Sequence, residues 1–342
     1  MNVDKFMGKG ICGLANVGNT CYINTTLQCL GHCTHFLEYV LNGEYKQETG
    51  SLLTELREIF KELWVNDNGV IPNRFLKYLH QHVRGINIME QNDIQEFLTL
   101  FVDKLNACIA IRVTPEMALS RTQYADSQYD KLRHKIDRAW FNSVGIEYSP
   151  LVDFFYGQSI VQVICGHCRK IHHTYEPFSI LLLPLPGNSD GTDIIACLNH
   201  YILEETLNDH THRGDDWKCD GCKQSVKSIK TTKFWRLPRI LTICLKRFTH
   251  DLRKNNTYVK APTQLDLSKY IIGPETTNTN NMYQLCSIAC HAGSHNNGHY
   301  YALCRNPDSN WYMIDDTIIT GFKDKYETPP TSYMLFYESH RS

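Results

Sequence analysis

The chain has 342 residues and a formal net charge of −1, from 35 lysines and arginines against 36 aspartates and glutamates. Because no strongly basic stretch is present to neutralise phosphates, we expect no nucleic-acid and no membrane-surface role. Short basic pairs such as Lys246-Arg247 are interpreted as local contacts or solvated faces. No apolar run reaches the ~18 residues of a membrane span, and residues 1–10 lack the apolar core of a signal peptide.

Length and cysteine usage indicate the domain count and the compartment. A chain of this length forms one large domain or two modest ones, and it buries a sizeable core without disulfides. Since no secretory signal accompanies the 14 cysteines, we expect free thiols in a reducing compartment, the cytoplasm or alternatively the nucleus. Nine of them are expected to be small core or near-surface residues: Cys12, Cys29, Cys33, Cys108, Cys197, Cys244, Cys286, Cys290 and Cys304.

The first predicted helix begins at Cys21. Asn19 and Thr20 are residue types that cap helix starts, and apolar residues then recur at helical spacing, at Ile23, Leu27 and Leu30. The positive end of the helix dipole stabilises a thiolate, which is the reactive form of cysteine. A free cysteine titrates near pH ~8.5, so nucleophilic work also needs a base.

Three further helices are predicted in the first 150 residues. One has an apolar face between Leu52 and Trp64, and Pro72 opens a second that runs through Val83. The third begins at Asp93, with an apolar stripe that is interpreted as core packing. This stripe leaves the polar residues at the start of the helix able to face a cleft. Residues 124–137 are polar enough for a mobile loop or a short surface helix.

After about Pro150 the pattern becomes that of β-strands. Predicted strands, rich in branched and aromatic residues, cover 159–164, 172–183, 225–234, 240–248, 283–291, 300–305 and 333–337. Residues 274–281, full of Thr and Asn, predict a solvated loop. Helices first and strands second indicate an α+β architecture with a cleft between the two parts.

Two Cys-x-x-Cys pairs predict a metal site. They are Cys165 with Cys168 and Cys219 with Cys222. Four soft thiolates suit tetrahedral zinc, whereas a redox pair, the competing interpretation, needs a single pair in a thioredoxin-like setting. We therefore expect one structural zinc that takes no part in chemistry. The nearby histidines are expected to be surface residues: His167, His172 and His173.

A candidate base for Cys21 lies far downstream. His299 stands between Gly298 and Tyr300, and Asp315 follows sixteen residues later. Cysteine, histidine and aspartate in this chain order match the logic of papain-like enzymes. Because the chain holds 14 cysteines and 16 histidines, this pairing alone is weak support for catalysis.

The residues around these positions resemble the ubiquitin-specific proteases. Residues 13–28 match that family's cysteine box at nearly every position, apart from Thr25, where serine is usual. The family's other boxes resemble residues 91–98, 237–248, 291–301 and 311–316. These matches follow the family order and extend from Gly13 to about Tyr337.

The resemblance implies a fold and an activity. The fold is papain-like and forms one catalytic domain, with a helical thumb at about 1–150, mainly zinc-ribbon fingers at 151–240 and mainly palm at 241–342. The activity is that of a cysteine isopeptidase that hydrolyses the bond after the C-terminal glycine of ubiquitin. The implied roles are Cys21 as nucleophile, His299 as base, Asp315 as its orienter with Asp316 as second candidate, and Asn16 as the oxyanion-hole side chain.

The resemblance also implies how substrate binds. Two terminal glycines of ubiquitin would pass through a narrow channel between residues 16–21 and 291–301, with Tyr300 as an aromatic wall and Gln91 nearby. Tail arginines would pair with Asp93 and Glu96; the alternative role of these carboxylates is to cap their helix. We expect a monomer whose partners are ubiquitin and ubiquitinated proteins.

Two other functions stay open. A ubiquitin-binding scaffold without activity would lack a triad residue, and none is missing from this sequence. A peptidase for another ubiquitin-like modifier would carry the same local motifs, because the broad fingers and palm surface set the choice of modifier.

Overall fold

The computed structural model describes residues 3–43, 51–114, 116, 119, 127–186, 191–207, 217–249, 251–273, 281–294, 297–322 and 326–339. The helices in these residues are α1 Cys21–Gly31, α2 Thr34–Asn42, α3 Leu52–Trp64, α4 Asn73–His82, α5 Ile94–Ala107, α6 Gln128–Asn142, α7 Pro150–Phe155 and α8 Ile194–Ile202. The strands are β1 Ile111–Arg112, β2 Glu147–Tyr148, β3 Gly157–Cys165, β4 Ile171–Phe178, β5 Ile180–Leu183, β6 Thr192–Asp193, β7 Glu205–Leu207, β8 Ser228–Arg236, β9 Ile240–Leu245, β10 Val259–Lys260, β11 Gln264–Asp266, β12 Met282–Gly293, β13 Gly298–Arg305, β14 Trp311–Asp315, β15 Ile318–Phe322 and β16 Ser332–Ser339.

Four of the five helices of the helical part, α1 to α5, form where the sequence predicts them. The helices expected at Cys21, Leu52, Pro72 and Asp93 are α1, α3, α4 and α5. Every residue of α1 is buried, so this helix is the centre of the helical part and not a surface element. The polar stretch before Asp137 belongs to α6, a helix of 15 residues, and its residues 124–126 lie outside the described part. Helices α2 and α7 had no prediction, whereas α8 lies between the two Cys-x-x-Cys pairs, whose separation of 51 residues predicts a hairpin and a helix there.

A central sheet supports α1 on one face. Its strand order is β15-β14-β13-β12-β16-β9-β5, with β11 paired to β12, and the pairs are antiparallel except for β5 with β9. Alternation along β16 divides the core: Met334 and Phe336 pack with the helical part, whereas Leu335 and Tyr337 pack on the opposite face. The sheet thus carries β13 and β14 directly beneath the start of α1.

A smaller four-stranded sheet has the order β4-β3-β8-β7 and is antiparallel throughout. The single strand predicted at 172–183 is wrong, because the chain leaves this sheet at Ser179 and enters the central sheet as β5. The strand predicted at 240–248 ends at Leu245, and Arg247, two residues later, is buried. The solvated loop predicted at 274–281 lies outside the described residues except for Asn281, which is buried.

The α+β class is confirmed. Strands β14 and β15, which had no prediction, form a hairpin whose two-residue turn lies against residues 13–14. None of the helices within the described residues has both the length and the apolarity that a membrane span requires.

Candidate active site

Cys21 is the first residue of α1, as predicted, but the helix start is built differently from expectation. Thr20 is the N-cap, yet its side chain makes no capping hydrogen bond. Instead its hydroxyl donates to Asn16 Oδ1 at 3.1 Å and accepts from the Val17 N–H at 3.2 Å. Asn16 Oδ1 also accepts from the Thr20 N–H at 3.1 Å. Asn16 therefore organises the turn that presents the cysteine.

Burial and hydrogen bonding act in opposite directions on the Cys21 thiol. Burial raises its pKa above the ordinary value, and the nearby Asp316 carboxylate adds to the rise. The N–H groups of Tyr300, Tyr22 and Cys21 lower the pKa. The helix start thus favours the thiolate as the sequence predicts, but burial is the larger effect, so the resting thiol is protonated at neutral pH.

His299 and Asp315 form a close pair on the central sheet. His299 Nε2 lies 2.5 Å from Asp315 Oδ1, where the beginning of β13 meets the end of β14. With Nε2 committed to the carboxylate, Nδ1 is the ring nitrogen that can meet a second partner. The hydrogen bonds of the described residues include none between the Cys21 sulfur and this ring. The next residue acts on the sulfur, because the backbone N–H of Tyr300 lowers the pKa of the Cys21 thiol.

Asp316 faces a different set of partners from Asp315. Its Oδ2 accepts from Asn16 Nδ2 at 2.9 Å and its Oδ1 from Asn24 Nδ2 at 2.8 Å. One polar atom each of His299, Asp315 and Asp316 lies within 4.8 Å of the others, so Asp316 is near the imidazole without bonding it. The sequence presents the two carboxylates as near equals, but the structure gives them different partners. Asp315 bonds the imidazole, and Asp316 bonds two amides.

The turn that carries Asp316 requires a close backbone approach. Asp316 adopts φ 52°, in the left-handed region, and its carbonyl accepts from the Leu14 N–H at 3.0 Å. A Cβ at Gly13 would lie 2.5 Å from the same carbonyl oxygen. Only glycine at position 13 permits the turn to rest against the segment that leads to Cys21.

A cavity of about 270 Å³ opens beside Cys21, between the helical part and the central sheet. Its lining residues are Cys21, Tyr22, Gln91, Asn92, Asp93, Glu96, Phe248, His291, Gly298 and Tyr300. Gln91 spans it, because Nε2 donates to the Gly298 carbonyl at 3.2 Å and Oε1 accepts from the Gly298 N–H at 3.4 Å. All four predicted substrate-binding residues therefore lie on this cavity.

Asp93 is occupied on both oxygens. Oδ1 accepts from the Gln95 N–H at 2.7 Å and caps α5, which is the alternative role considered from the sequence. Oδ2 accepts from the Tyr333 hydroxyl at 2.8 Å and from the Tyr300 hydroxyl at 3.4 Å. The carboxylate thereby fixes the aromatic wall of the cavity, whereas Glu96, one turn along the helix, is exposed.

Two cations near the cavity have roles that no sequence signal marked. Arg247 is buried, so of the two interpretations of the basic pair, local contacts or a solvated face, the solvated face is wrong for this residue; its Nε donates to the Ser332 carbonyl at 2.6 Å. Lys254 Nζ donates to the His291 carbonyl at 2.6 Å and lies 3.0 Å from His291 Nδ1. A Cβ at Gly298 would lie 2.0 Å from His291 Nε2, so this ring packs directly on the residue before His299.

The four predicted metal ligands come together at one end of the four-stranded sheet. All four sulfurs lie within 4.8 Å of one another, with Cys165 3.8 Å from Cys222 and Cys168 3.6 Å from Cys219. Tetrahedral Zn–S bonds of about 2.3 Å place sulfurs about 3.8 Å apart. The cluster therefore fits a single zinc ion, and the backbone N–H of Cys168 lowers the pKa of the Cys165 thiol below its ordinary value.

The two knuckles repeat one backbone geometry. The residue after each second cysteine is left-handed, Arg169 at φ 60° and Lys223 at φ 61°. Their N–H groups donate to the carbonyls of Cys165 and Cys219, at 3.1 and 2.7 Å. His172, expected on the surface, is half-buried, and its Nε2 lies 3.3 Å from the Cys219 sulfur. His167 and His173 are exposed.

Comparison with known proteins gives a family match over most of the chain. A family model described as ubiquitin carboxyl-terminal hydrolase matches residues 12–337. The chain is 31% identical to ubiquitin carboxyl-terminal hydrolase Usp2 of Drosophila melanogaster, over 96% of this chain and 35% of that protein. It is 31% identical to ubiquitin carboxyl-terminal hydrolase 21 of Bos taurus, over 97% of this chain and 62% of that protein. The chain thus spans less than two thirds of either relative.

A solved structure shares the fold. The SAGA Ubp8/Sgf11/Sus1/Sgf73 DUB module bound to ubiquitin aldehyde contains a chain that superposes with a TM-score of 0.72 at 22% identity, covering 98% of this chain and 71% of that one. The expected papain-like arrangement, with helical thumb, palm sheet and four-cysteine fingers, is confirmed at the level of the fold.

Proposed function

Because the chain belongs to the ubiquitin carboxyl-terminal hydrolase family, we propose that it is a cysteine isopeptidase that removes ubiquitin from conjugated proteins or chains. The observation that carries the proposal is that Cys21, at the start of α1, lines the same cavity as Gly298 and Tyr300, the two neighbours of His299 in the chain, while His299 bonds Asp315. Its substrate would be the bond between the C-terminal glycine of ubiquitin and an amine, most often that of a lysine.

His299 is proposed as the base and later the acid. Its Nδ1 takes the proton from the Cys21 sulfur, and the sulfur attacks the glycine carbonyl carbon to form a C–S bond. The raised pKa of the thiol makes this transfer necessary, since little thiolate exists in the resting enzyme. The Asp315 carboxylate holds the ring and stabilises the imidazolium that results.

Asn16 is proposed to stabilise the tetrahedral oxyanion. An amide nitrogen has two N–H donors, and the hydrogen bond to Asp316 uses one of them. The second N–H is then available for the oxyanion, and backbone N–H groups at the start of α1 assist. Because Asn16 Oδ1 is fixed by Thr20, the orientation of the amide is set before substrate binds.

Collapse of the intermediate breaks the C–N bond, and the leaving amine takes the proton from the imidazolium. The acyl group stays on Cys21 as a thioester. A water molecule then gives a proton to His299 and attacks the thioester carbonyl, and the sulfur leaves with that proton. The products are ubiquitin with a carboxylic acid, which ionises at neutral pH, and the released amine, which takes up the proton that the acid loses. The enzyme returns to its starting protonation.

The cavity beside Cys21 is proposed to hold the ubiquitin tail. The tail backbone would replace the Gln91 amide as the partner of the Gly298 backbone, and Tyr300 would wall the narrow end. Glu96, exposed on the lining, is the better partner for a tail arginine than Asp93, whose oxygens are already occupied.

The four-cysteine cluster is proposed to hold one structural zinc. Cys165, Cys168, Cys219 and Cys222 would be its ligands, and the metal would supply cross-linking of the four-stranded sheet. With four thiolates bound, it has no open position for a substrate. The zinc would therefore contribute to function by maintaining the shape of the surface that binds ubiquitin.

The test is reaction with ubiquitin that carries a C-terminal alkyne in place of its last carboxylate. We expect a stable adduct on Cys21, identified by intact mass and peptide mapping, and no adduct with Cys21→Ala. A matched probe built on a different ubiquitin-like modifier distinguishes the remaining alternative function. Adduct with that modifier alone, or no adduct with either probe, would contradict the proposal.

A further inference from the structure

His172 contacts the cysteine cluster from a neighbouring strand. It lies on β4, directly opposite Val163 of β3, and its Nε2 is 3.3 Å from the Cys219 sulfur. His172 is half-buried, whereas its neighbour His173 and the more distant His167 are exposed. Because successive residues of a strand project from opposite faces, His172 and His173 cannot both face the cluster. The structure therefore distinguishes His172 from the two histidines that the sequence presents with it.

A second contact holds the imidazole of His172 in place. Its ring meets the Trp217 ring edge to face, with the centroids 5.3 Å apart and the planes at 77°. Trp217 precedes Cys219 by two residues, so the indole and the sulfur of one short segment contact the same imidazole. Edge-to-face packing favours particular ring orientations. The orientation of the imidazole toward the sulfur is therefore set by packing.

The chemistry of the sulfur decides where the imidazole carries its proton. A thiolate that binds zinc has no proton and can only accept a hydrogen bond. The contact at 3.3 Å is then a hydrogen bond only if Nε2 is the donor, which leaves Nδ1 without a proton in the neutral ring. The backbone N–H of Gly221 donates to the same sulfur, also at 3.3 Å. The Cys219 sulfur thus has two N–H donors.

Burial gives these donors their importance. Cys219 is fully buried, whereas Cys168, whose sulfur is 3.6 Å from that of Cys219, is exposed. Four thiolates around one Zn²⁺ carry a net charge of about −2. A buried charge is costly unless hydrogen bonds replace those that water would make. The N–H groups of His172 and Gly221 replace water at a sulfur that water cannot reach.

The alternative role of His172 is to bind the metal in place of a cysteine. Within the described residues, the group of ligand atoms that lie within 4.8 Å of one another consists of the four sulfurs and contains no His172 nitrogen. The four sulfurs also complete a tetrahedral set. The geometry therefore places His172 outside the ligand set, where it acts through Cys219.

We propose that His172 is a positioning residue of the zinc site, whose Nε2–H donates to the Cys219 thiolate and slows the loss of the metal. This inference rests on the proposed zinc and is independent of the proposed isopeptidase activity. Hydrogen-bond partners of metal ligands typically change metal affinity by about 10–100-fold. His172 also joins β4, which follows the first cysteine pair, to the second pair, so it connects the same two segments as the metal.

The test measures the rate of zinc release from the full chain to an excess of a chromogenic chelator. His172→Phe keeps an aromatic ring against Trp217 and removes the N–H donor, and we expect release to accelerate by about 10–100-fold. His172→Gln restores an N–H donor at a similar reach, and its release rate should stay within about threefold of the parent rate.

His167→Phe is the matched control. His167 lies between Cys165 and Cys168 in the chain, closer to the ligands in sequence than His172, but its side chain is exposed. Zinc release from this variant should equal that of the parent. Equal release from the parent, His172→Phe and His172→Gln would overturn the inference.

A spectroscopic measurement separates the hydrogen bond from a general loss of packing. In the cobalt-substituted protein, the N–H donor stabilises the thiolate lone pairs, so the thiolate-to-cobalt charge-transfer band should lie at higher energy in the parent and in His172→Gln than in His172→Phe. A band at the same energy in all three proteins would contradict the proposed donor.

A measurement on the unsubstituted chain applies even if His172→Phe fails to fold. In the cadmium-loaded parent, NMR should show scalar coupling between the metal nucleus and the Nε2 proton of His172, transmitted through the hydrogen bond to the sulfur. A folded, cadmium-loaded parent without this coupling, or with the ring proton on Nδ1, would overturn the inference. Parent protein that binds neither zinc nor cadmium would instead overturn the proposed metal site, and this inference with it.

Discussion

The adjacent residues Asp315 and Asp316 have different partners and therefore different roles at the site. Asp315, at the end of β14, bonds His299, whereas Asp316, in the turn, bonds the amides of Asn16 and Asn24. From the sequence both could orient the base. The structure instead indicates that Asp316 is a positioning residue that acts through Asn16.

The first prediction tests this separation. Asn16→Ala should lower kcat for a ubiquitin–coumarin substrate by about 10²–10³, the usual loss for an oxyanion-hole donor. If Asp316 acts through Asn16, Asp316→Ala should lower kcat in the parent but change it little in the Asn16→Ala background. In the Asp315→Ala background, Asp316→Ala should keep its full effect.

Asn24→Ala is the control for this cycle, because it removes the other amide on Asp316 without touching Asn16. If the loss caused by Asp316→Ala were unchanged in the Asn16→Ala background, the two residues would act independently and the positioning role would be wrong.

The second prediction concerns the Cys21 thiol, whose pKa burial raises above its ordinary value. A raised thiol pKa means less thiolate at neutral pH than in a free cysteine, and more as the pH increases. Alkylation of Cys21 by iodoacetamide in the free enzyme should therefore be slower at pH 7 than alkylation of glutathione. It should also accelerate up to and beyond pH ~9.

The rate is measured by mass spectrometry of the peptide that contains Cys21. A fast rate that is constant from pH 5 to 8 would show a preformed thiolate–imidazolium pair and contradict the expectation.

At the scale of elements, the four-stranded sheet depends on its cysteine cluster. The strands β3 and β4 join through one knuckle, and the second knuckle precedes β8. The zinc proposed above would cross-link the two knuckles at this end of the sheet.

The third prediction is that the purified protein contains one zinc per chain and that Cys219→Ser loses it. The melting temperature should fall, and KM for ubiquitin–coumarin should rise more than kcat falls, because the cluster shapes the surface that binds ubiquitin and does not touch the scissile bond. Metal content is measured by mass spectrometry on unchelated protein. Cys108→Ser replaces a cysteine outside the cluster and should change neither the zinc content nor the melting temperature. Parent protein that contains no zinc would contradict the proposed site.

At the scale of the whole molecule, Glu338 joins the helical part to the central sheet. It is buried at the end of β16 and accepts from the N–H of Thr34 at 3.0 Å and of His35 at 2.9 Å, which begin α2. The His35 Nδ1 lies 3.1 Å from the same carboxylate. The Glu338 carboxylate raises the pKa of His35 above its ordinary value.

The fourth prediction is that Glu338→Gln lowers the free energy of unfolding by on the order of 2 kcal/mol at pH 6, because charged hydrogen bonds are lost. Since the folded His35 pKa is raised, its contribution is complete below the unfolded pKa of ~6.5 and is lost as the pH rises through the folded pKa. The difference between parent and variant should therefore shrink between pH 6 and 8 in urea titrations.

Glu38→Gln is the matched control. Glu38 lies on α2, the helix whose first N–H groups Glu338 bonds. Its ion pair with Lys5 is exposed, so Glu38→Gln should lower the free energy of unfolding by less than about 1 kcal/mol. A Glu338→Gln effect as small as that of Glu38→Gln, or one that grows with pH, would contradict the role of Glu338 in joining α2 to the central sheet.

The sequence by itself determined the features that depend on local pattern. The helix that begins at Cys21, the helices at Leu52 and Asp93, the paired cysteine knuckles and the α+β class all follow from periodicity, capping residues and spacing within a few positions. Their physical cause is contained in the segment itself, because apolar spacing decides which face is buried and thiolate pairs need only a tight turn.

The tertiary structure alone decided how distant residues share partners. The Asn16–Asp316 hydrogen bond joins residues 300 positions apart, and no local pattern distinguishes Asp316 from Asp315. The burial of Arg247 and the division of the strand at Ser179 likewise depend on where other strands pass. Local propensity fixes the elements, but a buried polar group must find its hydrogen-bond partners wherever the folded chain brings them.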